Sequence, residues 1–318
     1  MQPFNSKITS VVPRQLSRRE LLRLCAGAGL LLASDPKAMA ASATPVRRPI
    51  PSSRETLPAV GLGTWQTFDV GGSESERGQL RQVLSELVKL GGSVVDSSPM
   101  YGSSESVVGD LAAGINLRQQ LFLATKIWTD GREAGIQQMQ QSLKRLRTDY
   151  LDLMQVHNLL DWRTHLVTLR QWKDQGKIRY IGVTHYTESA YDELARVLKA
   201  EALDFVQINY SIVEREADRK ILPLAQERRL GVLVNRPFAQ AALFSKVRGK
   251  PLPTWAKEIG CGSWAQFFLK FVISHPGVTC AIPGTSNVEH LRDNMQAGMP
   301  PFPDQAMRER MARTVAEL

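Results

Sequence analysis

The chain has 318 residues, 43% of them hydrophobic and 22% charged, a balance that excludes a disordered polypeptide and gives length for one large core or two modest ones. The formal net charge is +9, but six basic and two acidic side chains fall in residues 1–40, so the remainder carries +5 and holds no basic run of the kind nucleic acid requires. That remainder fits a pocket for an anionic ligand or an ordinary solvated surface.

At the N-terminus, Ser17-Arg18-Arg19-Glu20-Leu21-Leu22-Arg23 carries a twin arginine, Leu24 to Ala33 is apolar, and Ala38-Met39-Ala40 offers an A-x-A cleavage site. Residues 1–40 resemble a bacterial twin-arginine (Tat) signal peptide. The apolar run is too short to span a bilayer, so cleavage after export is expected, with no stable membrane anchor. The resemblance implies the Tat export machinery as a partner and a periplasmic location. It also implies that the chain folds, and can load a cofactor, before export. Residues 41–51, with their Ala, Ser and Pro, read as a linker.

Residues 52–318 read as a single α/β domain. Short apolar runs, read as strands, fall at Val60 to Gly63, Ser93 to Asp96, Leu121 to Lys126, Leu151 to His157, Tyr180 to Thr184, Phe205 to Asn209, Gly231 to Asn235 and Cys280 to Pro283. Between them lie amphipathic helical stretches such as Gly78 to Leu90, Ala134 to Leu146 and Tyr191 to Ala200. Eight βα units in about 260 residues point to a closed (β/α)8 TIM barrel. An open doubly wound sheet would want a glycine-rich phosphate turn, and Gly61-Leu62-Gly63-Thr64 lacks the third glycine. Of three cysteines, Cys25 falls in the leader; Cys261 and Cys280 form no C-x-x-C pair and are expected to be unpaired thiols. No His cluster has metal-ligand spacing, so no metal is expected.

Barrel chemistry gathers where strands end. Asp96 ends the second strand in VVDSSPMYGSSE, Tyr101 follows in the loop, Lys126 ends the third, and His157 ends the fourth in YLDLMQVHN. Singly, each has a structural explanation: a cap, a packed ring, a snorkelling amine, a core imidazole. Together they suit a tuned proton donor. A phenol has a pKa near 10, and an ammonium about 4 Å away at an effective dielectric near 20 favours the phenolate by roughly 4 kcal/mol. Lys126 can supply that charge, Asp96 can keep the lysine protonated, and His157 can orient a carbonyl oxygen.

This arrangement resembles the aldo-keto reductases over residues 50–318. The resemblance implies a nicotinamide cofactor that passes hydride to a small-molecule carbonyl, with Tyr101 as general acid and Asp96, Lys126 and His157 completing the tetrad. It further implies that Thr64 touches the cofactor, as does Asp96, and that Trp65, Trp128 of Lys126-Ile127-Trp128, and Asn158 line the substrate pocket. Gln207 in VQINY corresponds to the residue that holds the nicotinamide carboxamide. Ile282 to Asn294, IPGTSNVEHLRDN, is similar to the segment that binds the adenosine phosphate and adenine, through Gly284, Thr285, Ser286, His290 and Asn294. Helix amides after Ser286 suit the phosphate.

The chain also departs from the family pattern. Thr184-His185 stands for the usual Ser-Asn at the carboxamide, and Asn235-Arg236-Pro237-Phe238 replaces a Tyr-Ser-Pro-Leu run, removing the stacking aromatic unless Phe238 substitutes. His290 and Gly284 stand where Arg and Lys often bind the 2′-phosphate, which weakens a preference for NADP(H) over NAD(H) without reversing it; Arg236 is available to grip the pyrophosphate. Asn158 replaces a common Trp and widens one wall. The loop Ala239 to Pro253 is too short for a long cofactor clamp. The expected activity is NAD(P)H-dependent reduction of aldehydes or ketones. A periplasm without a free NADPH pool motivates an alternative, a cofactor-binding redox-sensing or partner-binding barrel. An epimerase using Tyr101 and Lys126 is a third.

Overall fold

The computed structural model describes residues 44–318 apart from Arg54. The expected Tat leader, 1–40, lies outside the described residues. Where a linker over 41–51 is expected, the chain is already structured from Thr44: β1 (Arg47–Pro49) pairs antiparallel with β2 (Thr56–Pro58), and Ile50 and Leu57 are buried. Apolar side chains at 50 and 57 turn what composition alone marks as a spacer into a hairpin whose apolar side is covered.

Eight parallel strands follow, paired in chain order: β3 (Leu62–Gly63), β4 (Val94–Asp96), β5 (Phe122–Ile127), β6 (Leu151–His157), β7 (Ile178–His185), β8 (Phe205–Asn209), β9 (Gly231–Asn235) and β10 (Cys280–Ala281). Parallel bridges Val60↔Ala281 and Gly63↔Gly284 close the sheet on itself, as the (β/α)8 reading requires. The first strand is shorter than expected because its ladder is interrupted, not because the chain departs: Gly61 N still donates to Ala281 O at 2.8 Å. Glycine is needed there, since a Cβ on Gly61 would fall 2.8 Å from Val94 Cβ. Ser73 caps the helix Glu74–Lys89, between the first two barrel strands, by accepting from Glu76 N, so the helix starts four residues before periodicity suggests. The helix Tyr191–Ala200 stands where expected.

The strands are buried on both faces, which explains their near-continuous apolar runs. Alternation sorts them. Val94, Phe122, Ala124, Leu153, Tyr180, Phe205, Leu233 and Cys280 form one cluster with Ile50 and Leu57 of the hairpin, filling the barrel. Val95, Leu123, Ile127, Met154, Val156, Val206, Ile208, Val232 and Val234 belong to the other cluster, shared with the helices. Two residues on from Val94, Ala124, Phe205 and Leu233 come Asp96, Lys126, Gln207 and Asn235, and four on from Leu153 comes His157. The register that fills the barrel with hydrocarbon therefore places these polar side chains at its C-terminal mouth. Cys261 and Cys280 are free and buried. Among the described residues no helix is long and apolar enough to cross a membrane.

Candidate active site

Lys126 Nζ donates to Asp96 Oδ2 and to the Ser97 carbonyl, both at 2.7 Å, and the pair is almost wholly inaccessible. Asp96 is held by two buried amides: Gln207 Nε2 at 3.3 Å from Oδ2 and Gln155 Nε2 at 3.4 Å from Oδ1. Gln155 Nε2 also donates to Gln207 Oε1 at 2.7 Å. Sequence reasoning missed Gln155, although its parity in β6, two residues before His157, marks it as inward. Burial pushes the Asp96 carboxyl above its ordinary value, and Lys126 offsets only part of that. Burial works to lower Lys126, but the Asp96 and Tyr101 side chains outweigh it and hold the ammonium above its ordinary range.

Tyr101 sits in a short loop whose turn is closed by Tyr101 N to Ser98 O at 3.0 Å and Ser104 N to Tyr101 O at 3.0 Å. Gly102 has φ +56°, and a Cβ there would meet Asp69 Oδ1 at 2.2 Å. Asp69 in turn accepts from Ser103 N at 2.8 Å, pinning the loop. The Lys126 Nζ lies 5.0 Å from the centroid of the Tyr101 ring, and the His157 ring stands edge-on to it at 6.2 Å and 82°. The expectation of a phenol drawn down by Lys126 is corrected in sign: burial dominates and raises the Tyr101 pKa, and the ammonium only moderates the rise. The phenol therefore keeps its proton at neutral pH. Burial, then the charge of Lys126, push the His157 imidazole down to about 3, so it is neutral. Ser98 Oγ lies 3.4 Å from His157 Nδ1. With Nδ1 accepting from that hydroxyl, the ring proton is assigned to Nε2.

These groups border a cavity of about 1260 Å³ that runs from Met100 and Trp128 to Asn294. It exceeds the roughly 300–1000 Å³ of sites for drug-sized ligands. Besides the tetrad, Thr64, Trp65, Trp128, Asn158, Thr184, Gln207, Asn235, Arg236, Phe238, Gly284, Thr285, His290 and Asn294 line it. His185 and Ser286 do not: the His185 ring stacks on Tyr186 at 5.9 Å, and its Nδ1 lies 3.1 Å from Thr187 Oγ1. The Thr64 hydroxyl, expected on a cofactor, donates to Asp96 O at 3.0 Å and lies 3.0 Å from Ser97 Oγ. Trp128 is held by its backbone, which Gln138 clamps through N at 2.6 Å and O at 3.0 Å. Phe238 packs on Phe244 at 4.8 Å.

The expected phosphate-binding amides are partly taken. Asn287 Oδ1 accepts from Glu289 N at 2.8 Å and His290 N at 3.2 Å, capping the helix Val288–Gln296 itself. Tyr186, Phe244 and Trp264, unremarkable in the sequence, add an aromatic lining. Among the described residues no group of His, Cys, Asp and Glu has the arrangement to hold a metal ion.

The cavity fits a dinucleotide beside a small substrate. Asn158 Oδ1 and Asn235 Oδ1 are buried acceptors without partners on its wall. A parallel barrel with a protonated tyrosine, a buried lysine–carboxylate pair and a neutral histidine at such a mouth is the framework of a carbonyl oxidoreductase. Comparison with known proteins agrees. The sequence model of the Aldo/keto reductase family matches residues 59–312, and the chain belongs to that family. It is an oxidoreductase that reduces carbonyl compounds with NAD(P)H. It is 32% identical over 248 residues to methylglyoxal reductase YeaE of Escherichia coli (strain K12), covering 75% of this chain and 84% of that one. An aldo-keto reductase from Klebsiella pneumoniae in complex with NADPH superposes with a TM-score of 0.68 at 28% identity, over 82% of this chain and 92% of the other. The NADP-dependent D-sorbitol-6-phosphate dehydrogenase of Malus domestica is 26% identical, over 77% of this chain and 86% of the relative.

Proposed function

We propose that Tyr101 is the proton donor in reduction of an aldehyde or ketone to an alcohol, with NADP(H) as the favoured cofactor. Bound NADPH supplies the hydride that reaches the carbonyl carbon. As negative charge develops on the carbonyl oxygen, Tyr101 gives it a proton, and the neighbouring Lys126 ammonium stabilises the phenolate left behind. Asp96, anchored by Gln155 and Gln207, keeps that ammonium charged in a buried setting. Neutral His157 donates a hydrogen bond to the same oxygen and orients it. Trp65 and Trp128 flank the substrate, and Asn158 and Asn235 offer acceptors to its hydroxyls or to the cofactor amide. Thr184 and Asn294 line the cofactor's path and His290 stands at the 2′-phosphate end, where the family often carries a stronger cation.

The observation that carries this reading is the buried Lys126 reaching both Asp96 and the Tyr101 ring. The test is NADPH binding by fluorescence together with aldehyde-dependent oxidation of NADPH and NADH, with methylglyoxal as the first substrate because YeaE carries that activity in its name. Binding weaker than about 1 mM to both cofactors overturns it. We further propose export of the folded chain by the Tat machinery, with cleavage after Ala40 and release into the periplasm; the motif in residues 17–40 supports this. N-terminal mass spectrometry of periplasmic protein tests it, and an intact Met1 there or an exclusively cytoplasmic protein refutes it.

A further inference from the structure

Arg236 lines the cavity as a cation held in no salt bridge, with half-buried Glu214 a carboxylate near enough to feel its charge. Among the described residues no carboxylate lies within ion-pair distance of its guanidinium, and its side chain donates no hydrogen bond to the protein. What orients it is an aromatic face, with Cζ 4.5 Å from the centroid of the Tyr186 ring. Stacking of that kind covers the flat of a guanidinium and leaves its N–H edge free, the edge that meets a carboxylate or phosphate in two parallel bonds. The backbone is bent to present it: Arg236 has φ +50°, and Ala239, Gln240 and Ala241 along the same rim are also left-handed.

Arg236 stands toward the reacting end of the cavity: it leans on Tyr186, beyond the end of β7, and lines the same cavity as Tyr101 and His157. The phosphate-side segment, Gly284 to Asn294, lies beyond β10, on the opposite side of β9 in the strand order. We propose that Arg236 anchors an oxyanion on the substrate, and that the preferred substrates are carbonyl compounds bearing a carboxylate or phosphate group. The inference rests on the reductase reading and deepens it. A dinucleotide pyrophosphate carries the same chemistry, so the test separates the two sources.

The test compares 4-oxobutanoate with its neutral methyl ester in the wild type, Arg236→Met and Arg236→Lys, alongside the NADPH dissociation constant and thermal melting of each protein. Calorimetric binding of 4-hydroxybutanoate to the NADP+-loaded protein supplies a readout without turnover. The expected result is a wild-type preference for the acid, and in Arg236→Met a loss of kcat/KM for the acid of roughly 10- to 150-fold, the range for a lost charged hydrogen bond. The ester should lose much less than the acid, NADPH affinity should change by less than about threefold, and Arg236→Lys should recover part of the loss for the acid. Equal losses for acid and ester with weakened NADPH binding assign the guanidinium to the pyrophosphate and overturn the proposal, as does a wild type indifferent to the carboxylate. Reduction of the ester alone leaves the reductase reading intact while the anchor fails. Arg236-dependent binding of the acid with no turnover of either substrate does the reverse.

Discussion

Lys126 Nζ and Asp96 Oδ2 stand 2.7 Å apart with side chains 1% and 3% exposed, so each charge depends on the other. Removing one partner strands the second in a low-dielectric interior, at a cost of about 3–5 kcal/mol, whereas removing both with shape kept costs far less. Asp96→Asn should therefore be markedly destabilised in urea unfolding, and Asp96→Asn/Lys126→Met should regain most of the loss. If the double variant is no more stable than the single, the pair is not energetically coupled.

Tyr101→Phe should lower kcat by about 10²- to 10⁴-fold, the usual contribution of a general acid, while NADPH affinity stays within about threefold. Because burial raises the phenol pKa, the reductive rate should hold through neutral pH and fall only above the ordinary phenol value of about 10. Stopped-flow rates across the alkaline range check both. A fall centred near neutrality would contradict a protonated Tyr101.

The His157 imidazole, depressed to about 3 against an ordinary 6.5, links stability to pH with a definite sign. As pH falls, the unfolded chain takes up the proton first, so this contribution is complete above about pH 6.5 and is lost progressively toward pH 3. His157→Gln should show a smaller drop in stability between about pH 7.5 and 4.5 than the wild type. Imidazole NMR resonances give an independent check, since a His157 titration near 6.5 would contradict a buried neutral ring.

Gln155 is the network member with no place in the sequence reading. Its Nε2 serves both Asp96 Oδ1 and Gln207 Oε1, so Gln155→Leu leaves a buried carboxylate oxygen and a buried amide oxygen short of a donor. The expected cost is about 1–3 kcal/mol of stability. A change in kcat with KM near wild type would accompany it if Lys126 shifts with Asp96. Unaltered stability and kcat would show that Asp96 needs no second amide.

Much of the site was legible because a parallel strand states its own geometry. Once VVD, FLATKI and LDLMQVH are read as strands buried on both faces, parity alone puts Asp96, Lys126 and His157 on the inward side, at the ends where a barrel opens. The hairpin Arg47–Pro58 was less legible, since its strands are three residues long and carry arginine and proline, and its burial depends on a cavity made by other strands.

By itself the sequence determined the eight βα units of a closed barrel and the four side chains at its mouth, because alternation and spacing are local properties of the chain. The tertiary structure alone decided the pairing of Gln155 with Gln207 across 52 positions and the resting of Arg236 on a tyrosine fifty residues earlier. It also decided that the Tyr101 phenol moves up in pKa and not down. Desolvation is summed over every atom that encloses a group, so its balance against one nearby charge exists only after the barrel has closed.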